Sequence, residues 1–146
     1  MTFGTFTAQH ADMASVAQGI MAHVETLTAG QPYDGHDPLP ALRLALSKGV
    51  ASHCSAEIDV LRRQLERHPD IAISKAAMVR RYNDELLAWR GSLMECNANW
   101  PARRVTEDPA AFLDAFRPIV AALTARIRWE EQEFYPQVLG RVVRPA

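Results

Sequence analysis

The sequence predicts an all-α protein, an antiparallel up-down-up-down four-helix bundle, with residues 1–146 forming a single domain. Three observations predict it. Apolar residues recur at three- and four-residue spacing through four long segments. Prolines, glycines and turn residues cluster between those segments. No stretch shows the period-two alternation and β-branched enrichment of a strand, and there is no internal repeat or low-complexity tract.

The first helix is expected over about residues 7–27, ending in a stretch that holds Gly30, Pro32, Gly35, Pro38 and Pro40. The second opens near Pro40, a residue suited to a first helical turn, and continues to Arg67 before His68-Pro69 stops it. The third covers about residues 74–98, with Ser74 as its N-cap and Trp100-Pro101 closing it. The fourth opens at Asp108-Pro109, an N-cap followed by proline at the first helical position, and runs to Leu139 with Gly140 as terminator. Pro118 and Pro136 lie inside it and predict bends. The first connection is the longest, and short connections between the other helices imply antiparallel neighbours.

Composition narrows the function. A chain of 146 residues buries roughly 70% of the surface its unfolded form exposes, enough for a core without disulfides or structural zinc. Sixteen Lys+Arg against seventeen Asp+Glu, a net charge of −1, argue against nucleic acid or a polybasic membrane surface as partner. The two cysteines, Cys54 and Cys96, have no CxxC spacing, which points to a reducing compartment. The N-terminus lacks a basic region leading into an apolar one, and no apolar run approaches the ~18 residues of a membrane span. These features predict a cytoplasmic protein.

The polar residues that interrupt the apolar stripes are the most informative. His10, Met13, Ala17, Ile20, Val24 and Leu27 share one face of the first helix. In the second, Leu42, Leu46, Val50, His53, Glu57 and Leu61 place a His and a Glu at i,i+4 in mid-stripe. Val79, Asn83, Leu86 and Leu87 group on the third helix, and Ile119, Leu123, Arg126, Ile127, Glu130 and Phe134 form the stripe of the fourth. In an up-down-up-down bundle His10, His53, Glu57, Asn83, Arg126 and Glu130 fall in the half nearer the start of the first helix. Two carboxylates buried there need positive charge, since an unpaired buried carboxylate costs several kcal/mol even after relaxation. Inward carboxylates and histidines on facing helices are how bundles build metal sites. Arg126 pairing with Glu57 and Glu130 in a metal-free, hydrogen-bonded network is the alternative.

At these residues the chain resembles the hemerythrin-like (HHE cation-binding) family, whose four helices carry His, His-x-x-x-Glu, His and His-x-x-x-Glu. His10 and His53-Cys-Ser-Ala-Glu57 resemble the first two elements. Arg126-Ile-Arg-Trp-Glu130-Glu-Gln-Glu-Phe-Tyr-Pro136 resembles the closing signature, in which a His-x-x-x-Glu-Glu run leads into an aromatic-Pro pair. Asn83 and Arg126 stand where the third- and fourth-helix histidines would be, and in the family both of those serve the same ion. The resemblance therefore implies that His10, His53, Glu57 and Glu130 hold one divalent ion, with Arg126 supplying the charge of the missing second one. Iron is the ion the resemblance implies; two imidazoles and two carboxylates suit zinc or manganese as well.

The resemblance implies a role in sensing or storing metal, oxygen or nitric oxide, and a redox enzyme using the open coordination of a single iron is a lesser alternative, as no substrate-pocket signature accompanies it. The competing expectation is a metal-free regulatory module that binds another protein or a second copy of itself. No Ser-His-Asp or Cys-His arrangement and no phosphate-cradling glycine loop favours a hydrolase or nucleotide-binding protein. His23, roughly 220° around the first helix from His10, is expected at the surface. His36 sits in a turn-like Asp-Gly-His-Asp loop, His68 at a helix end, and Cys54 about 100° from His53 as a small buried hydrophobe. Trp89, Trp100 and Trp129 are expected to pack between helices.

Overall fold

Prolines and turn residues set where the helices begin and end. The computed structural model describes residues 3–140 and contains six α-helices, a π-helical segment and, among the described residues, no strand. Helix α1 spans Phe3–Glu25 and α2 spans Leu39–Arg67, with Pro40 in its first turn. The connection between them turns at Gly30, whose φ of 79° is open to glycine at little cost. Gly30 also donates its N–H to the Thr106 carbonyl, tying this loop to a distant part of the chain.

Two short helices interrupt the expected pattern. Pro69–Ser74 forms α3 and Ala102–Glu107 forms α5, each started by a proline at the point where a long helix stops. Helix α4 covers Ala76–Asn99, so Ser74 closes α3 instead of capping α4, and Lys75 stands between them. Helix α6, Pro109–Trp129, opens as expected: the Asp108 carboxylate accepts the Ala111 N–H at 3.1 Å.

Beyond Trp129 the winding changes. Glu130–Leu139 is π-helical, with Pro136 inside it. Proline has no N–H to give to the carbonyl four residues back and its ring crowds that carbonyl, so a wider turn relieves the clash. A π-helical run of this length is rare, and such departures are frequent at functional sites. Gly140, the last described residue, caps the π segment with a helical backbone, φ −55° and ψ −28°, in place of the left-handed conformation a terminating glycine often takes.

Helix α1 packs along α2 and α6, α4 packs along α6, and the π segment lies against both α2 and α4. The core between them is aliphatic and aromatic. Phe6, Met13, Ala17, Ile20 and Val24 line the inner face of α1, and Leu46, Val50 and Leu61 that of α2. Phe112, Phe116, Ile119, Val120 and Leu123 supply α6.

On α4 the buried stripe is Tyr82, Leu86, Trp89, Leu93 and Cys96. This corrects the expected register: Asn83 and Leu87 are exposed, Leu87 at 68%. Trp89 is held by its indole N–H, which donates to the Ile119 carbonyl at 2.9 Å. No helix among the described residues is long and apolar enough to cross a membrane.

Candidate metal centre

Four titratable side chains interrupt the core at one level. His10 from α1, His53 and Glu57 from α2, and Glu130 at the start of the π segment are all at most 3% exposed. One ligand atom from each lies within 4.8 Å of every other, so this buried group could hold a metal ion. The two imidazoles face one another with their Nε2 atoms 3.0 Å apart. Glu57 Oε2 is 3.0 Å from His53 Nε2, and Glu130 Oε2 is 3.0 Å from His10 Nε2.

The surroundings fix which atoms point inward. Gln9 Oε1 lies 2.7 Å from His53 Nδ1, and an amide oxygen can only accept, so Nδ1 carries the proton. With His53 neutral its lone pair is on Nε2, toward the other three residues, whereas a second proton there is donated to Glu57 Oε2 at 3.0 Å. Such a hydrogen bond on the far nitrogen is the usual support of a metal-ligating histidine. His10 Nδ1 has Glu131 Oε1 at 3.8 Å, too far for a hydrogen bond, and is otherwise a buried atom without one.

Two phenols complete the cluster. Tyr82 donates its hydroxyl to Glu57 Oε1, and Tyr135 donates to Glu57 Oε2. The Tyr135 oxygen is also 3.2 Å from His10 Nε2 and 3.4 Å from Glu130 Oε2. Both rings are fully buried. Burial raises both phenol pKa values, and the nearby Glu57 and Glu130 carboxylates add to the shift.

Arg126 sits beside these residues, not among them. Its Nε is 3.0 Å from Glu130 Oε1 and its Nη2 donates to the Tyr82 carbonyl at 2.9 Å. Its guanidinium lies 4.7 Å from the Tyr82 ring centroid. Arg126 also forms part of the wall of an open groove of about 470 Å³ between α4 and α6, lined further by Trp89 and Trp129. Arg126 and Trp89 stand between this groove and the cluster.

The charge states follow from these contacts. Burial and the facing Glu57 push the Glu130 carboxyl up to about 8, with Arg126 pulling the other way. Burial works on Glu57 in the same direction, but the hydrogen bond and charge of His53 and the two phenols outweigh it and hold Glu57 below the ordinary carboxylate value. His10 is lowered, chiefly by burial, against the pull of Glu57 and Glu131. The site therefore favours neutral imidazole on His10, one firm carboxylate on Glu57, and a Glu130 that takes a proton when no cation is near.

Sequence reasoning and structure differ at identifiable residues. The structure brings His10, His53, Glu57, Glu130 and Arg126 together and leaves Asn83 outside on the exposed face of α4, with Tyr82 at the inward position. Tyr82, Tyr135 and Gln9 are the residues the sequence reading did not single out. His23 is half-buried, outside the cluster, and within 3.0 Å of Asp37 Oδ1. His36 is exposed in the loop, and Cys54 is buried with its thiol pushed up to about 11 by burial, which keeps it protonated.

No family model, curated protein or solved structure matches this chain. The hemerythrin-like resemblance therefore stands on the residues of the cluster alone.

Proposed function

We propose that the chain is a single hemerythrin-like domain, an antiparallel four-helix bundle of α1, α2, α4 and α6 with its π extension, that binds one metal ion at His10, His53, Glu57 and Glu130. Iron is the ion the resemblance favours, with zinc and manganese compatible with the donor set. The role is sensing or storage of metal, oxygen or nitric oxide, inside the cell. One observation carries the reading: two imidazole Nε2 atoms and two carboxylate oxygens from three elements converge in the core with all four residues buried. Lone pairs gathered in this way repel one another unless protons or a cation lie between them.

A single ion, not a pair, follows from what surrounds the cluster. Arg126 occupies the α6 position of one absent histidine with a fixed positive charge on Glu130, and α4 offers a phenol in place of the other. Metal analysis of the full chain, purified without chelator and then reloaded with Fe(II), tests the proposal. About one equivalent is expected, lost in His53→Ala; two equivalents, or retention in a His10→Ala/His53→Ala double variant, would overturn it.

A metal-free regulatory module is the second reading, and one observation favours it. Glu57 already accepts two phenol hydroxyls and Glu130 already faces the Arg126 guanidinium, so the cluster compensates much of its own charge. A chain that takes up no Fe(II), Zn(II) or Mn(II) at neutral pH would establish that reading over the first.

A further inference from the structure

A ligand set is read from histidines and carboxylates, but the Tyr135 hydroxyl oxygen also reaches into this cluster. Its hydroxyl is hydrogen-bonded to Glu57 Oε2 and lies 3.2 Å from His10 Nε2 and 3.4 Å from Glu130 Oε2. It touches the inward-facing atom of three of the four candidate ligands. Tyr82 offers the control within the same site, because its hydroxyl reaches only Glu57 Oε1, the carboxylate oxygen turned away from the imidazoles. The Tyr135 ring is held in place by stacking on His10, 5.8 Å between centroids at 9°, and by Phe6 at 5.6 Å.

The π winding is what puts Tyr135 there. On an α-helix Tyr135 would stand about 140° around from Glu130 and could not share its site. With hydrogen bonds closing over five residues, i and i+5 come onto one side, and both residues point into the cluster.

We propose that Tyr135 is itself a metal ligand, its phenolate oxygen joining His10, His53, Glu57 and Glu130 in holding a ferric ion; the inference rests on the metal reading above. On binding, the phenol O–H bond breaks, the oxygen pair becomes the donor and the proton leaves to solvent. Two carboxylates and a phenolate bring three negative charges, matching a trivalent ion where the carboxylates alone match a divalent one. Tyrosinate is an established iron donor in proteins. A site so built stabilises the oxidised state, which favours holding ferric iron over reversible dioxygen binding.

The test uses the full chain loaded anaerobically with Fe(II) and oxidised by one equivalent of ferricyanide, which takes one electron per iron and leaves as ferrocyanide on desalting. The expected result is retained iron with a visible phenolate-to-iron charge-transfer band and tyrosinate ring modes in the resonance Raman spectrum. The iron held by Tyr135→Phe should lack the band, and the iron held by Tyr82→Phe should keep it. Iron retained without any band, or a band that survives Tyr135→Phe, would overturn the ligand assignment and leave the metal reading standing. No iron retained at all would overturn the ferric assignment, and a further failure to take up Zn(II) or Mn(II) would overturn the metal reading with it. If Tyr135→Phe does not fold, tyrosinate modes that persist in Tyr82→Phe support the assignment, and their absence from the iron-loaded unaltered protein overturns it.

Discussion

Glu130 is pulled two ways by its neighbours, and the conflict is measurable. In the metal-free protein its pKa is pushed up to about 8, mainly by burial and then by Glu57, against an unfolded value of 4.5. The folded state then holds a proton that the unfolded chain has lost, so this group's contribution to stability falls as pH rises from 4.5 toward about 8. His10 and Glu57 act in the opposite sense, since their folded pKa values are lowered and their contributions fall as pH drops below 6.5 and 4.5 respectively. Above 6.5 the Glu130 effect therefore acts without opposition from those two. A bound cation keeps Glu130 ionised and removes its penalty, so the rise in Tm on adding Fe(II) or Zn(II) should be larger at about pH 8 than at about pH 6.5. An equal or smaller rise at the higher pH, measured by calorimetry, would contradict the place given to Glu130.

At the scale of the element, α4 shows why part of the site was legible and part was not. The α1 and α2 stripes carry His10, His53 and Glu57 at clean three- and four-residue spacing among apolar residues, so their inward direction could be read directly. On α4 two stripes overlap. Val79, Asn83, Leu86 and Leu87 mimic a buried face over two turns, whereas Tyr82, Leu86, Trp89, Leu93 and Cys96 continue it for four. Following the first stripe onward meets Arg90 and the exposed Met94, and that downstream mismatch was the available signal.

The π segment had no such signal. Its spacing is invisible to a rule that assumes 3.6 residues per turn, and Pro136 inside it predicts only a bend. The register of α4 gives a paired prediction. Asn83→Ala should change stability by no more than about 0.5 kcal/mol, as for other exposed sites. Tyr82→Phe should cost about 1.5–3 kcal/mol, the range for a hydrogen bond to a charged group. Denaturant unfolding of the two variants measures both, and a reversal of their order would restore the register first read from the sequence.

Over the whole molecule, the candidate ligands are distributed unevenly. They come from the first half of α1, the middle of α2 and the start of the π segment, while α4 contributes only the Tyr82 hydroxyl to Glu57. A bound ion would therefore fasten α1, α2 and the C-terminal segment together and leave the opposite end to ordinary packing. That end is secured by Arg43, whose guanidinium donates to the Trp100 carbonyl at 2.5 Å and lies 5.2 Å from the Phe112 ring, and by Phe112 stacked on Phe116. None of these groups belongs to the cluster. Local opening depends on the contacts each segment must break, so metal removal should act regionally. Hydrogen exchange should accelerate on chelation in residues 6–13 of α1, in 50–60 of α2 and in the π segment, and change little in 39–46 and 109–116. The expected contrast is at least about tenfold in exchange rate, equivalent to ~1.4 kcal/mol of local stability. A uniform acceleration along all helices would mean that the ion stabilises only the global fold and that the cluster does not act as a local clasp.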